Sequence, residues 1–376
     1  ISTIRYLTQP ASTYSIRGSG SLYHREREIT MSNELIFFAC FLLFVVLMLA
    51  IDLGVFNKKD HIVTLKEAAI MSSIWVSFAL GFYVLLLTEG EFLHGIQNYA
   101  QLKAVTQEYL HNIVLIPENF SASLNSYKQN LALEFITGYV VEYALSVDNI
   151  FVMVLIFSAF GVDEKYYHRV LFWGIIGAVI MRFLFIFIGS SLINQFGWII
   201  YVFGGFLVYT GASMFLNRDE EDEIDADNHR VVKFAAKYFP IAAEYEGKSF
   251  FLKRGGKTLI TPLFIVLLVV EFTDLIFAVD SIPAIFAVTK DPYIVFFSNI
   301  FAILGLRSMF FLLVNIIHKS HYLKTGLAIL LVFIGVKMLA HHYLAAWGFT
   351  TLHSLLVILF ILTTSVLASL VFPKKS

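Results

Sequence analysis

The stretch Val270-Glu271-Phe-Thr-Asp274-Leu-Ile-Phe-Ala-Val-Asp280-Ser281-Ile282 places three acids inside an otherwise apolar run. An earlier stretch, Glu142-Tyr-Ala-Leu-Ser-Val-Asp148-Asn149-Ile150, repeats its core. Each has an acid, a five-residue gap, an Asp and a small polar residue. Carboxylates at membrane depth are costly, so they mark functional sites by default. The recurrence of the pattern argues against chance.

Composition sets the frame. Of 376 residues, 58% are hydrophobic, 38 are Phe and only 15% are charged, against about 25% charged in soluble domains. Several runs approach or exceed the ~20 apolar residues that cross a bilayer. The fold class is an all-α polytopic membrane protein. A net charge of −1 gives no sign of nucleic-acid binding. The single cysteine, Cys40, rules out a disulfide within the chain and a thiolate metal cluster, and reads as an inert packed thiol.

Nine spans are expected, at about 35–55, 67–88, 132–158, 169–192, 197–217, 260–285, 293–316, 323–340 and 350–371. Residues 1–30 are polar, lack an apolar signal core and are expected to be a disordered upstream extension, with Met31 as the working start. The rest divides into 31–131 (two spans and an external loop), 132–217, a linker of 218–258, 259–340, and 341–376 with the last span and a basic end. Loops on one side carry seventeen Lys and Arg and those on the other carry three, Lys103, Lys128 and Lys290. The positive-inside rule then puts the N-terminus outside and the C-terminus in the cytoplasm.

Aligning Asp148 with Asp280 sets Glu142 on Asp274 and Asn149 on Ser281. The next span of each half holds a buried arginine, Arg182 or Arg307, and the third holds Gly211 or Gly335. Spans three to five therefore match spans six to eight. Three is odd, so the second copy must insert upside down. Inverted repeats place a transporter's site at their interface. The linker carries an acidic run, 219–227, read as solvated, and a hairpin around Gly255-Gly256.

A helix rises about 1.5 Å and turns about 100° per residue. Glu142 and Asp148 are thus ~9 Å apart along the axis and ~120° apart around it. Seven residues nearly close two turns, so Asn149 shares the stripe of Glu142, and Ser281 that of Asp274. Inversion predicts two acidic layers, Glu142 with Asp280 and Asp148 with Asp274, and Glu271 extends the second. Oxygen-only donors suit hard cations such as manganese, magnesium or calcium. Without an ion, crowded like charges favour proton uptake, which offers a route to proton antiport. Arg182 and Arg307 serve as counter-ions or as packing anchors; in a purely structural alternative they simply neutralise the acids. Pro283 is expected to break its helix and free carbonyls. Lys337 reads as snorkelling.

At these residues the sequence resembles the TerC family and, within it, the Alx-like subgroup. The matching stretches are Thr137–Phe151, Val270–Val288, Asp291-Pro-Tyr-Ile-Val and Ser298–Arg307. The resemblance implies an inner-membrane protein of the lysine-exporter-like superfamily, linked to manganese efflux and to tellurium resistance. By carry-over, Glu142, Asp148, Glu271, Asp274 and Asp280 match the family's acidic positions. The implied function is a secondary carrier that exports manganese, without an ATP site and without a resident cofactor. Its partners are the divalent cation and membrane lipid. Two alternatives stay open: a metallation or assembly partner for exported proteins, and a tellurium-resistance protein. A membrane-embedded hydrolase ranks below both, because no nucleophile–base pair or HExxH spacing is present.

The charge asymmetry has a direct test. Green fluorescent protein fused after Ser376 should fluoresce, and alkaline phosphatase fused there should be inactive. Phosphatase inserted beside Lys103 should be active. The opposite pattern would reverse the orientation.

Overall fold

A computed structural model describes residues 19–56, 63–109, 113, 115–117, 119–216, 231–233, 237, 239–242, 247, 249–254, 257–314, 322–340, 343–344 and 347–371. Within its helices the side chains of residues 19–32, 52–56, 148, 151, 194, 280, 323, 324 and 370 are not described. The elements are α1 (Ser19–Phe56), α2 (Leu65–Glu89), α3 (Glu91–His94), α4 (Tyr99–Glu108), α5 (Phe120–Ala159), α6 (Glu164–Gln195), α7 (Ile199–Leu216), β1 (Phe251–Arg254), β2 (Lys257–Ile260), α8 (Pro262–Phe286), α9 (Pro292–Val314), α10 (Leu323–Leu339) and α11 (Thr351–Val371). Among the described residues eight helices are long and apolar enough to span a membrane, and a ninth, shorter apolar segment is Thr325–Leu339. These are the nine expected spans. The acidic run at 219–227 lies outside the described residues.

Sequence explains most of the helix starts. Thr64 and Glu67 form a reciprocal capping box on α2, Asn119 caps α5, and Thr261 followed by Pro262 opens α8. Such caps satisfy amide donors that the helix leaves free. Three local expectations need correcting. Pro283 does not break α8, which continues to Phe286. Proline near a helix end removes one amide donor, here the one that would reach the Val279 carbonyl, without interrupting the remaining turn. The segment after Glu89, expected as an external loop, contains helices α3 and α4, and α5 begins at Phe120 rather than near residue 132. Cys40 is exposed on the apolar face of α1 instead of packed. The hairpin is present, with Arg254 opposite Lys257.

Helix pairing follows the inverted repeat. The repeat relates α5 to α8, α6 to α9 and α7 to α10. The pair α5·α9 is matched by α8·α6, while α5·α8 and α7·α10 map onto themselves. Detail supports this. A Cβ on Gly335 would meet Gly204 O at 2.7 Å, and one on Gly211 would meet Ala328 O at 2.7 Å. These two contacts exchange under the repeat. Glycine lets the backbones of α7 and α10 approach this closely, as is common between membrane helices. The centre of the bundle is α9, buried over most of its length. Phenylalanines from α1, α2 and α5 pack on it, with Phe41–Phe297 ring centroids 4.4 Å apart and Phe82–Phe301 5.1 Å apart.

One end of the bundle is closed by a buried polar cluster. His94 Nδ1 lies 2.6 Å from Glu34 Oε1 on α1, and its Nε2 lies 2.9 Å from Asp291 Oδ2 before α9. Tyr109 and Tyr293 donate their hydroxyls to Glu34 at 3.1 Å. Asp291 also accepts from the Tyr293 amide at 2.9 Å, capping α9. Burial alone would lower the pKa of His94, but Asp291 and Glu34 outweigh it and raise it from 6.5 to about 9. The imidazolium thus ties α1, α3 and α9 together.

Two outcomes follow. Gly335→Leu or Gly211→Leu should destabilise the detergent-solubilised protein by about 1–3 kcal/mol, whereas Gly205→Ala, with nothing within 4 Å of a Cβ, should be neutral or stabilising. A folded-state pKa raised from 6.5 to about 9 contributes stability that is full below pH 6.5 and lost as pH rises through 9. The thermal midpoint should therefore fall across that window, and His94→Gln should flatten the fall.

Candidate metal centre between the repeats

Helices α5 and α8 cross antiparallel, and their polar residues meet in sequence. Thr289 donates to Glu134 Oε2 at 2.7 Å. Gly138 packs against Ile285, whose Cγ2 would lie 3.2 Å from an added Cβ. Glu142 lies level with Ser281, and Asn149 Nδ2 donates to Asp274 Oδ1 at 2.7 Å. The Glu142–Ser281 and Asn149–Asp274 levels exchange under the internal repeat. They hold the described members of the two layers. The side chains of Asp148 and Asp280 lie outside the described residues. Their backbones sit on α5 and α8, next to Asn149 and Ser281.

Arg182, from α6, reaches the first level. Its Nη1 lies 2.7 Å from Glu142 Oε1, and donates to Ser281 Oγ at 2.7 Å and Asn299 Oδ1 at 2.5 Å. Glu142 is 1% exposed and Arg182 2%, so this ion pair is almost fully removed from solvent. Asn299 escaped the sequence reading. Its signal was an amide inside the apolar run of α9, and its Nδ2 is held by the Val295 carbonyl at 2.7 Å. Arg307 is not among the partners of Arg182. It lines a separate small void with Trp75, His168 and Ser308. The two arginines that the repeat equates thus occupy different surroundings.

Glu271 extends toward α6 rather than across to α5. A Cβ on Gly177 would collide with its carboxylate oxygens, so the glycine makes room for the carboxylate. Asp274 lies within electrostatic reach of both Glu142 and Glu271. Both levels are electron-rich. Among the described residues Glu142 Oε2 at the first level, and Asn149 Oδ1 and Asp274 Oδ2 at the second, are buried and have no hydrogen-bond donor. Leaving such groups unsatisfied costs about 1–3 kcal/mol each. Among the described residues no three His, Cys, Asp or Glu side chains converge as a metal-ligand set. The donors on hand are oxygens only, the chemistry of a hard cation or of protons.

The family described as "Integral membrane protein TerC family" matches residues 127–376. An "Uncharacterized membrane protein STKORF319" of Myxococcus xanthus is 46% identical over 300 residues, covering 80% of this chain and 82% of that protein. A "Putative membrane-bound redox modulator Alx" of Escherichia coli K12 is 40% identical over 331 residues, covering 86% of this chain and 92% of its own. No solved structure matches the chain.

The ion pair predicts a specific non-additivity. Arg182→Met should cost about 3–5 kcal/mol, because it strands the Glu142 carboxylate. Adding Glu142→Gln should recover most of that loss. Thermal unfolding of the two variants in detergent measures it, and equal losses in both would show that the pair does not carry this coupling.

Proposed function

The chain belongs to the integral membrane protein TerC family, and from that premise we propose that it is an inner-membrane secondary transporter exporting a divalent hard cation, manganese, in exchange for protons. The observation that carries this reading is the set of three donor-less buried oxygens, Glu142 Oε2, Asn149 Oδ1 and Asp274 Oδ2, at the crossing of α5 and α8. A cation supplies what hydrogen-bond donors do not. Asp148 and Asp280, adjacent in sequence to Asn149 and Ser281, are the further acids of the repeated pattern. Manganese accepts oxygen ligands and holds its water less tightly than magnesium does, which favours it among hard cations that must be partly dehydrated to pass.

In this reading Arg182 acts as a tethered counter-ion. It holds Glu142 while the site carries no substrate, and an arriving divalent ion competes with it for the carboxylate. Protons compete for the same oxygens, so binding of one ligand opposes the other. Linkage of this kind is the thermodynamic basis of exchange. The excess of Lys and Arg in alternate loops supports export from a cytoplasmic C-terminal side.

The printed name of the Alx relatives, a membrane-bound redox modulator, is compatible with this chemistry. A dithiol–disulfide couple within the chain needs two cysteines, and its 376 residues contain one. Control of manganese supply reaches cellular redox balance without a thiol in the carrier. A metallation partner for exported proteins would use the same site but release the ion to a client.

Flux into proteoliposomes separates these readings. Wild-type protein should carry manganese in preference to zinc, and an opposing proton gradient should accelerate it. Asp274→Asn and Glu142→Gln should each lower the flux on the order of tenfold or more while leaving the protein folded. Undiminished flux in both variants, or no metal flux from wild type, would overturn the proposal. Flux indifferent to pH would remove the proton exchange alone.

A further inference from the structure

A second polar cavity opens where α8 ends and α11 begins. It is a cavity of about 80 Å³. Its polar lining is Glu134, Thr289, Lys290, Lys337, Thr350 and Thr351. Lys337 therefore faces a cavity between helices rather than simply snorkelling along α10. Both carboxylate oxygens of Glu134 are already engaged, by Asn130 at 2.6 Å and Thr289 at 2.7 Å. Among the described residues neither lysine has a carboxylate within salt-bridge distance, and burial holds the Lys290 pKa below its ordinary value. Two amines thus share a cavity with one acid that is otherwise occupied. The first turn of α11, a 21-residue helix starting at Thr351, adds the positive end of a helix dipole.

The depth of the cavity narrows the ligand. Trp198, Tyr201, Tyr343 and Trp347 lie at this end of the bundle and are 62%, 57%, 70% and 83% exposed. Exposed Trp and Tyr mark the headgroup level of a bilayer. The cavity consequently sits where phosphate groups are most concentrated, both from lipid and from the adjoining water.

We propose that this cavity is an anion site for a phosphate-bearing group, held by Lys290 and Lys337 with the Thr351 hydroxyl. A tetrahedral anion with several oxygens matches a lining of two ammonium groups, a hydroxyl and a helix start better than a planar carboxylate does. Occupancy neutralises two cations at the edge of the bundle and braces α8, α10 and α11 against one another. The site is separate from the acids of the α5·α8 crossing, and its test does not depend on metal transport.

Delipidated protein in detergent, heated with phosphatidylglycerol, with inorganic phosphate or with phosphate-free diacylglycerol, tests the assignment. Phosphatidylglycerol or inorganic phosphate should raise the unfolding midpoint by several degrees, as expected for a ligand well above its Kd, and diacylglycerol should not. A shift with the lipid alone assigns the headgroup; a shift with inorganic phosphate alone assigns the free ion. Lys290→Gln with Lys337→Met should abolish the shift, and Lys103→Gln, an exposed lysine, should keep it. If the double variant is not recovered folded, Lys290→Gln alone should at least halve the shift. No shift with either phosphate source, an equal shift with diacylglycerol, or a shift undiminished by the lysine substitutions would overturn the proposal.

Discussion

The antiparallel contact of α5 with α8 is the constraint on which the rest depends. Each helix carries acids that lipid would reject. Neither can face the membrane, and neither can be neutralised by its own helix, because the polar residues are spaced for a neighbour rather than for each other. Turning the two polar stripes inward solves both problems at once. Glu142 then finds Arg182 at 2.7 Å and Asp274 finds Asn149 at 2.7 Å. The remaining helices serve that arrangement. α9 fills the centre, α6 delivers the arginine, and α7 and α10 clasp each other through glycine at the side.

Much of this was legible in the chain. Composition and run length identify a membrane bundle, since a bilayer leaves little choice beyond helices. The doubled acid pattern reveals the repeat, and three spans per copy require inversion. Helix geometry then sets α5 and α8 level by level, while the expected acid pairs Glu142–Asp280 and Asp148–Asp274 lie outside the described side chains. What the chain hid were partners that come from far away in sequence. Asn299 reads as one amide in an apolar run, yet it completes the shell around Arg182. Glu34, His94 and Asp291 are separated by up to 197 residues between hydrogen-bonded partners, so no local pattern could bring them together. Arg307 shows the reverse error: the repeat equates it with Arg182, but its surroundings differ.

That asymmetry carries meaning for function. A carrier whose two halves were equivalent would bind its ion without preference for either level. Here one level pairs its carboxylate with an arginine, while the other pairs it with an amide, and among the described residues each level keeps one orphaned carboxylate oxygen, Glu142 Oε2 or Asp274 Oδ2. The helix break anticipated at Pro283 is absent, so in the proposed carrier side chains rather than unwound backbone would supply most of the ligands. The buried imidazole at the far end, with its carboxylate neighbours, adds a rigid tie that keeps α1 and the segment after Glu89 fixed against α9.

Equilibrium binding of manganese to the purified protein, with the protons released on binding counted in the same experiment, addresses the central claim most directly. The account predicts saturable binding with net proton release, and weakening on the order of tenfold or more when Glu142 or Asp274 is replaced by its amide. Binding that both amide variants leave intact, or saturation without any proton release, would contradict it.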